Sequence, residues 1–335
     1  MSQWSHLTGP DPEFAAAFAR LPPAPPHSED PAVFRERFKY VVSLCKKNDT
    51  PRLPAADSYR VQDYEVPVTE GNVTVRAIIP VAPEGEDKTY PVMLWIHGGG
   101  WAMGNLEPDD FWMRRVSVEL QISIVMVDYR LAPEFPFPTG LNDCYEALKW
   151  TALHTDLIFG SLSKGFLITG QSAGGNLAGA IAHRARDDPF FADKKVTGQL
   201  LQIPCTTHPD AVPEKYKSQL LSFEENKDAP FLSAWEVRMF IRTLHVPPED
   251  PDFNLLMHPS HRGLAPAYIQ VCGLDPTRDY GMLYEQVLRE EGVRTMLDVY
   301  PGVPHGFHFG YPHIAAGKKW DADFLKGLRW LLQQG

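Results

Sequence analysis

The heptapeptide Gly170-Gln171-Ser172-Ala173-Gly174-Gly175-Asn176 follows the apolar run Phe166 to Thr169 and leads into a helix-like stretch, Leu177 to Arg186. G-x-S-x-G at that place predicts a sharp strand-to-helix turn. Small residues two before and two after the serine let the backbone turn without collision, and the Oγ is presented as a nucleophile. A second motif, His97-Gly98-Gly99-Gly100-Trp101, comes directly after Val92 to Ile96. Consecutive glycines can turn backbone N–H groups toward the oxygen of a tetrahedral acyl-transfer intermediate. The expected oxyanion donors are Gly99 and Gly100 with Ala173, the residue after the nucleophile, and the sequence does not single out which two of the three glycines donate. Their spacing does not fit the dinucleotide-binding G-x-G-x-x-G.

A serine nucleophile needs a base and an acid, which in such elbow enzymes follow in the chain order Ser, acid, His. Of twelve histidines, His305, His308 and His313 lie beyond the last expected strand. His305 comes first, after the expected loop Pro301 to Pro304 and next to Gly306, and is the expected base. His308 and His313 read as loop histidines. Gly306, Gly310 and Pro312 argue against a regular helix that would align the three on a metal, and neither metal nor organic cofactor is expected. The acid is expected just after Tyr268 to Val271, where Asp275 lies nearest the strand end. Asp279 is the fallback, placed where it could cap the next helix.

Around these residues, short apolar runs alternate with amphipathic stretches: Val92–Ile96, Ile122–Val127, Phe166–Thr169, Leu200–Ile203, Tyr268–Val271 and Thr295–Val299. That rhythm predicts an α/β fold with a mainly parallel sheet covered by helices on both faces. A hairpin, Val61–Val68 and Val73–Ile79 about Glu70-Gly71-Asn72, precedes it. Residues 1–55 carry two helix-like patterns, Pro12–Arg20 and Asp30–Cys45, with prolines crowded from Pro22 to Pro26. Residues 56–204 and 263–335 read as two parts of a catalytic core, and 205–262 as an inserted cap with a helix over Ser233–Leu244. Trp101, Phe231 and Trp235 are candidate substrate-pocket residues, although Phe231, Trp235, Met239 and Phe240 would serve equally as cap core.

The set HGGG, G-x-S-A-G-G-N, D-P-x-x-D and H-G-F, together with Asp128-Tyr129-Arg130-Leu131-Ala132-Pro133-Glu134, resembles the hormone-sensitive-lipase-like branch of the α/β-hydrolases. The resemblance runs from about the hairpin to the C-terminus. It implies an α/β-hydrolase core, a cap built from N-terminal helices plus the insertion, and a serine carboxylesterase acting on short- to medium-chain acyl esters. Gln171 stands where the family usually has Asp, and Thr277 where it usually has Leu. The alternatives are an amidase or deacetylase on the same residues, or a small-molecule receptor, against which the intact Ser172, Asp275 and His305 argue.

The net charge of −10 would repel nucleic acid. Cys45, Cys144, Cys205 and Cys272 form no C-x-x-C pair and are expected as buried thiols. No signal-peptide pattern and no membrane-length apolar run is found, so a cytoplasmic protein is expected. The expected partner is a small ester, and the chain a monomer or a homodimer pairing through the edge strand Thr295–Val299.

Overall fold

The computed structural model describes residues 2–21, 26–82 and 88–334, so of the proline cluster only Pro26 falls among the described residues. One sheet organises them: β1 (Tyr59–Val68), β2 (Gly71–Pro80), β3 (Val92–Ile96), β4 (Ser123–Val127), β5 (Phe166–Gln171), β6 (Gly198–Gln202), β7 (Ala267–Leu274) and β8 (Thr295–Pro304). Their order is β1-β2-β4-β3-β5-β6-β7-β8. β2 runs antiparallel to both neighbours, and from β4 onward every pairing is parallel. β3 lies between β4 and β5, so the chain reverses its direction of travel across the sheet there, and the crevice at such a switch is where open α/β sheets bind ligands. The glycine motif ends β3 and the serine motif ends β5.

Alternation along β3 sends Val92, Leu94 and Ile96 into one apolar cluster, and Met93 and Trp95 into another. The first is covered by α4 (Thr139–Leu153), α5 (Ala173–Asp187) and α8 (Arg278–Glu290), and the second by α3 (Glu107–Leu120) and α10 (Ala315–Leu332). Burial on both faces is why these strands read as continuous apolar runs.

Two expectations need correcting. The hairpin turns on Thr69-Glu70, because Val68 pairs with Gly71 and Glu70 takes the positive φ of 60°. The expected loop Pro301–Pro304 belongs to β8, pairing as far as Leu274 with Pro304 beyond an irregularity at Cys272–Leu274. Prolines are compatible with a strand at a sheet edge, where one side makes no ladder.

The N-terminal segment crosses the ends of β7 and β8. A Cβ at Gly273 would strike the Leu7 carbonyl, one at Gly302 would strike that of Gly9, and the Asp11 amide donates to the Gly302 carbonyl at 3.0 Å. Then come α1 (Pro12–Phe18) and α2 (Pro31–Asp49), each begun by an aspartate cap and a proline. The insertion carries α6 (Ser222–Glu225) and α7 (Ala234–Leu244), the latter opened by a Ser233–Glu236 capping box. N-terminal segment and insertion touch directly: Phe14 edge-on to Phe231, Phe34 edge-on to Phe240, and Glu29 paired with Arg242. Among the described residues no helix is long and apolar enough to cross a membrane. All four cysteines are buried free thiols.

Candidate active site

Ser172 stands at φ 55°, ψ −117°, between the end of β5 and the start of α5. The turn closes on glycines: a Cβ at Gly170 would meet the Gly174 carbonyl, and one at Gly174 the carbonyls of Ile96 and His97. The elbow is therefore packed against the end of β3. The Ser172 amide is fixed by the Gln202 carbonyl at 2.8 Å.

The strand ends of β7 and β8 carry the other two candidates. Asp275 follows β7, His305 follows β8, and the irregularity at Cys272–Leu274 lies beside them, as bulges near functional sites do. His305 Nδ1 donates to Asp275 Oδ2 at 2.6 Å, and the Ser172 hydroxyl donates to His305 Nε2 at 2.8 Å. Asp275 is 1% exposed. A buried carboxylate on Nδ1 keeps Nε2 free to take the serine proton and stabilises the imidazolium that results. Its second oxygen, Oδ1, accepts from the Thr277 amide at 2.7 Å and the Thr277 hydroxyl at 2.9 Å. Asp279 is elsewhere. Its carboxylate accepts from the amides of Leu221 and Ser222 and from Arg278 Nε, so it fastens the start of α6 rather than capping its own helix.

The glycine loop lies beside the serine, since a Cβ on Gly98 would sit 3.4 Å from that of Ser172. Gly99, Gly100 and Trp101 all have positive φ, at 126°, 59° and 58°. The Gly99 carbonyl turns back to accept from Ala102 and Met103, and the Trp101 carbonyl accepts from Ala132, which ties the loop to the Asp128–Glu134 stretch. His97 is buried beneath the loop, stacked on Tyr129 at 4.3 Å, and burial lowers its pKa to about 4.

One pairing has no sequence signal. His308 lies in the single-turn α9 (Phe307–Gly310), not in a loop, and its Nε2 is 2.6 Å from the side-chain nitrogen of Gln171. Its ring stacks on Trp320, and burial, with a smaller contribution from His305, lowers its pKa to about 3. Gln171 thus meets a neutral imidazole where the family's usual Asp would present a charge. His313 packs near Tyr311 and joins neither neighbour.

Over the serine opens a cavity of about 460 Å³. Trp101, Phe231 and Trp235 line it together with Phe34, Phe38 and Phe240. Phe240 is buried and also packs in the main core, whereas Phe231 is 48% exposed at the rim. Asp109 reaches the same cavity, accepts from Trp95 Nε1 at 2.9 Å, and is pushed up to about 7 by burial.

The α/β-hydrolase fold family matches over residues 93–309, a span holding the glycine loop, the serine elbow, Asp275 and His305. The chain belongs to the α/β-hydrolase family. This α/β-hydrolase is 36% identical over 271 residues to the versiconal hemiacetal acetate esterase of Dothistroma septosporum, covering 80% of this chain and 82% of the relative. It superposes on the crystal structure of a vibralactone cyclase with a TM-score of 0.95 at 44% identity, over 98% and 96% of the two chains. On a Pyrobaculum calidifontis esterase the TM-score is 0.82 at 29% identity, over 96% and 99%. Such relatives fit the hormone-sensitive-lipase-like branch that the motifs resemble, and the chain is an esterase-type α/β-hydrolase.

Proposed function

We propose that the chain is a serine carboxylesterase working through an acyl-enzyme. Ser172 Oγ attacks the ester carbonyl as His305 Nε2 takes its proton, while Asp275 holds the imidazolium. Charge on the carbonyl oxygen goes to the N–H groups of Gly99, Gly100 and Ala173. The imidazolium protonates the departing alcohol, water then attacks the acyl carbonyl with His305 again as base, and the acid leaves. The observation that carries this reading is the unbroken hydrogen-bond chain from Asp275 through His305 to Ser172, opening into an apolar cavity.

Short- to medium-chain acyl groups are the proposed substrates, and about 460 Å³ of mostly apolar space supports the medium end of that range. N-terminal helices and insertion together would form the cap. The test is hydrolysis of p-nitrophenyl esters from acetyl to palmitoyl by wild type and Ser172→Ala. Activity should peak at or below medium chain length and fall by at least ~10³-fold in the variant. A folded Ser172→Ala protein that keeps most of its activity would sink the mechanism, and a palmitoyl optimum would sink the size range.

A second reading is favoured by the similarity to a vibralactone cyclase. An acyl-enzyme can be attacked by a hydroxyl on its own acyl chain instead of water, which closes a lactone and restores Ser172 without a net hydrolysis. Hydroxy-ester substrates analysed for lactone against free acid separate the two.

A further inference from the structure

We propose that the Thr277 hydroxyl is a positioning group for Asp275, holding one carboxylate oxygen so that the other faces His305. The inference rests on the Ser172–His305–Asp275 mechanism proposed above. Thr277 is the residue before α8, at the N-cap, where a threonine ordinarily turns its oxygen back to accept from an amide of the first helical turn. Here its side chain makes no such bond. The Asp279 amide in that first turn is taken instead by Ser222 Oγ, a residue of the insertion, at 3.0 Å. Ser222 in turn gives its own proton to the Pro276 carbonyl at 2.8 Å. With the helix start served from outside, the Thr277 hydroxyl donates to Asp275 Oδ1.

A hydroxyl has a single proton, so this donation commits it. Asp275 then has both oxygens occupied: Oδ1 by the amide and hydroxyl of Thr277, Oδ2 by His305. Its carboxylate plane is set on both sides, and Thr277 is 2% exposed, so water does not substitute for the hydroxyl. The leucine that the family usually carries here has no proton to give. Removing the hydroxyl has two effects. The carboxylate loses one fixed side, which lowers the population of correctly oriented His305. The carboxylate also loses a donor and becomes a stronger acceptor for the imidazolium, which moves the acid limb of the activity profile upward.

The experiment compares wild type, Thr277→Val, Thr277→Ser and Ser222→Ala on p-nitrophenyl butyrate across pH 5 to 9, with Ser172→Ala alongside. Thr277→Val should lower kcat roughly tenfold with KM within about twofold, and shift the acid limb of the kcat/KM profile upward by about half a pH unit. Thr277→Ser keeps the donor and should stay within about twofold of wild type with the limb in place. Ser222→Ala, remote from the reacting atoms, frees the Asp279 amide to recruit the threonine oxygen and should move the limb in the same direction by less. A Val variant with wild-type kcat and limb overturns the inference, as does an equal loss in Val and Ser. If Thr277→Val does not fold, an unmoved limb in folded Ser222→Ala overturns it. Loss of activity in Ser172→Ala with no effect of Thr277→Val rejects only this inference. Retained activity in Ser172→Ala rejects the mechanism beneath it.

Discussion

At Gly99 the backbone stands at φ 126°, and an added Cβ would collide with the Met103 carbonyl. A side chain is excluded both by conformation and by space, so Gly99→Ala must displace the loop that carries the proposed oxyanion donors. We expect kcat to fall by roughly 10²-fold with the protein still folded, as read by steady-state kinetics beside a thermal melt. Ser172, the glycine loop and His305 were legible as candidates because each motif is local: the residues that shape the backbone flank the residue that would react. Gln171 and His308 were not. Their contact joins the end of β5 to α9, and neither residue carries a neighbour that announces the other. Thr277 sits two residues from Asp275, yet a threonine at a helix start ordinarily caps, and only the position of Ser222 frees it.

α5 contributes His183 to a second histidine assembly away from Ser172. His183 is fully buried, its ring stacked on that of His258 at 3.6 Å and 2°, with His261 edge-on and Tyr284 on Nε2. Burial first, then neighbouring histidines and Arg186, push the His183 pKa far below its ordinary value, and burial brings His258 to about 4. Both rings are neutral in the fold and take up protons near pH 6.5 when unfolded. As pH falls below 6.5 the unfolded chain gains protons that the native state refuses, so this stability is present above pH 6.5 and is lost on the way down to about pH 4. His183→Phe keeps a ring and removes a proton site. Its Tm should fall less than that of wild type between pH 7 and 5 by scanning fluorimetry, and parallel slopes would contradict the argument. Asp109, raised to about 7, gains its proton on the same descent with opposite sign, and the difference between the two proteins cancels it. The strands of the parallel core were readable because two-sided burial demands unbroken apolar runs. The end of β8 was not, since its prolines and glycine mimic a loop until β7 pairs with them.

Across the whole molecule, segments distant in sequence meet over the carboxyl end of the sheet. Arg35 of α2 donates to the carbonyls of Ala102 and Ala132 and pairs with Glu134, so an N-terminal helix grips both the glycine loop and the stretch behind it. Arg35→Ala should raise KM several-fold and lower Tm by about 2 °C, because the pair is partly solvated and the bonds to carbonyls carry most of the effect. Unchanged KM would mean that α2 is held by its apolar face alone. The N-terminal helices and the insertion were separable by eye in the sequence, but the contacts between them were not, since they depend on aromatic pairs such as Phe14 with Phe231 that no local pattern links.

The segment around Leu7 and Gly9 is translated well before Gly273 and Gly302, against which it rests. Until β7 and β8 emerge the segment has no seat, whereas the loops bearing Asp275 and His305 find their backing already made. The candidate relay from Asp275 through His305 to Ser172 is thus assembled only after β7 and β8 have joined the sheet that supports it.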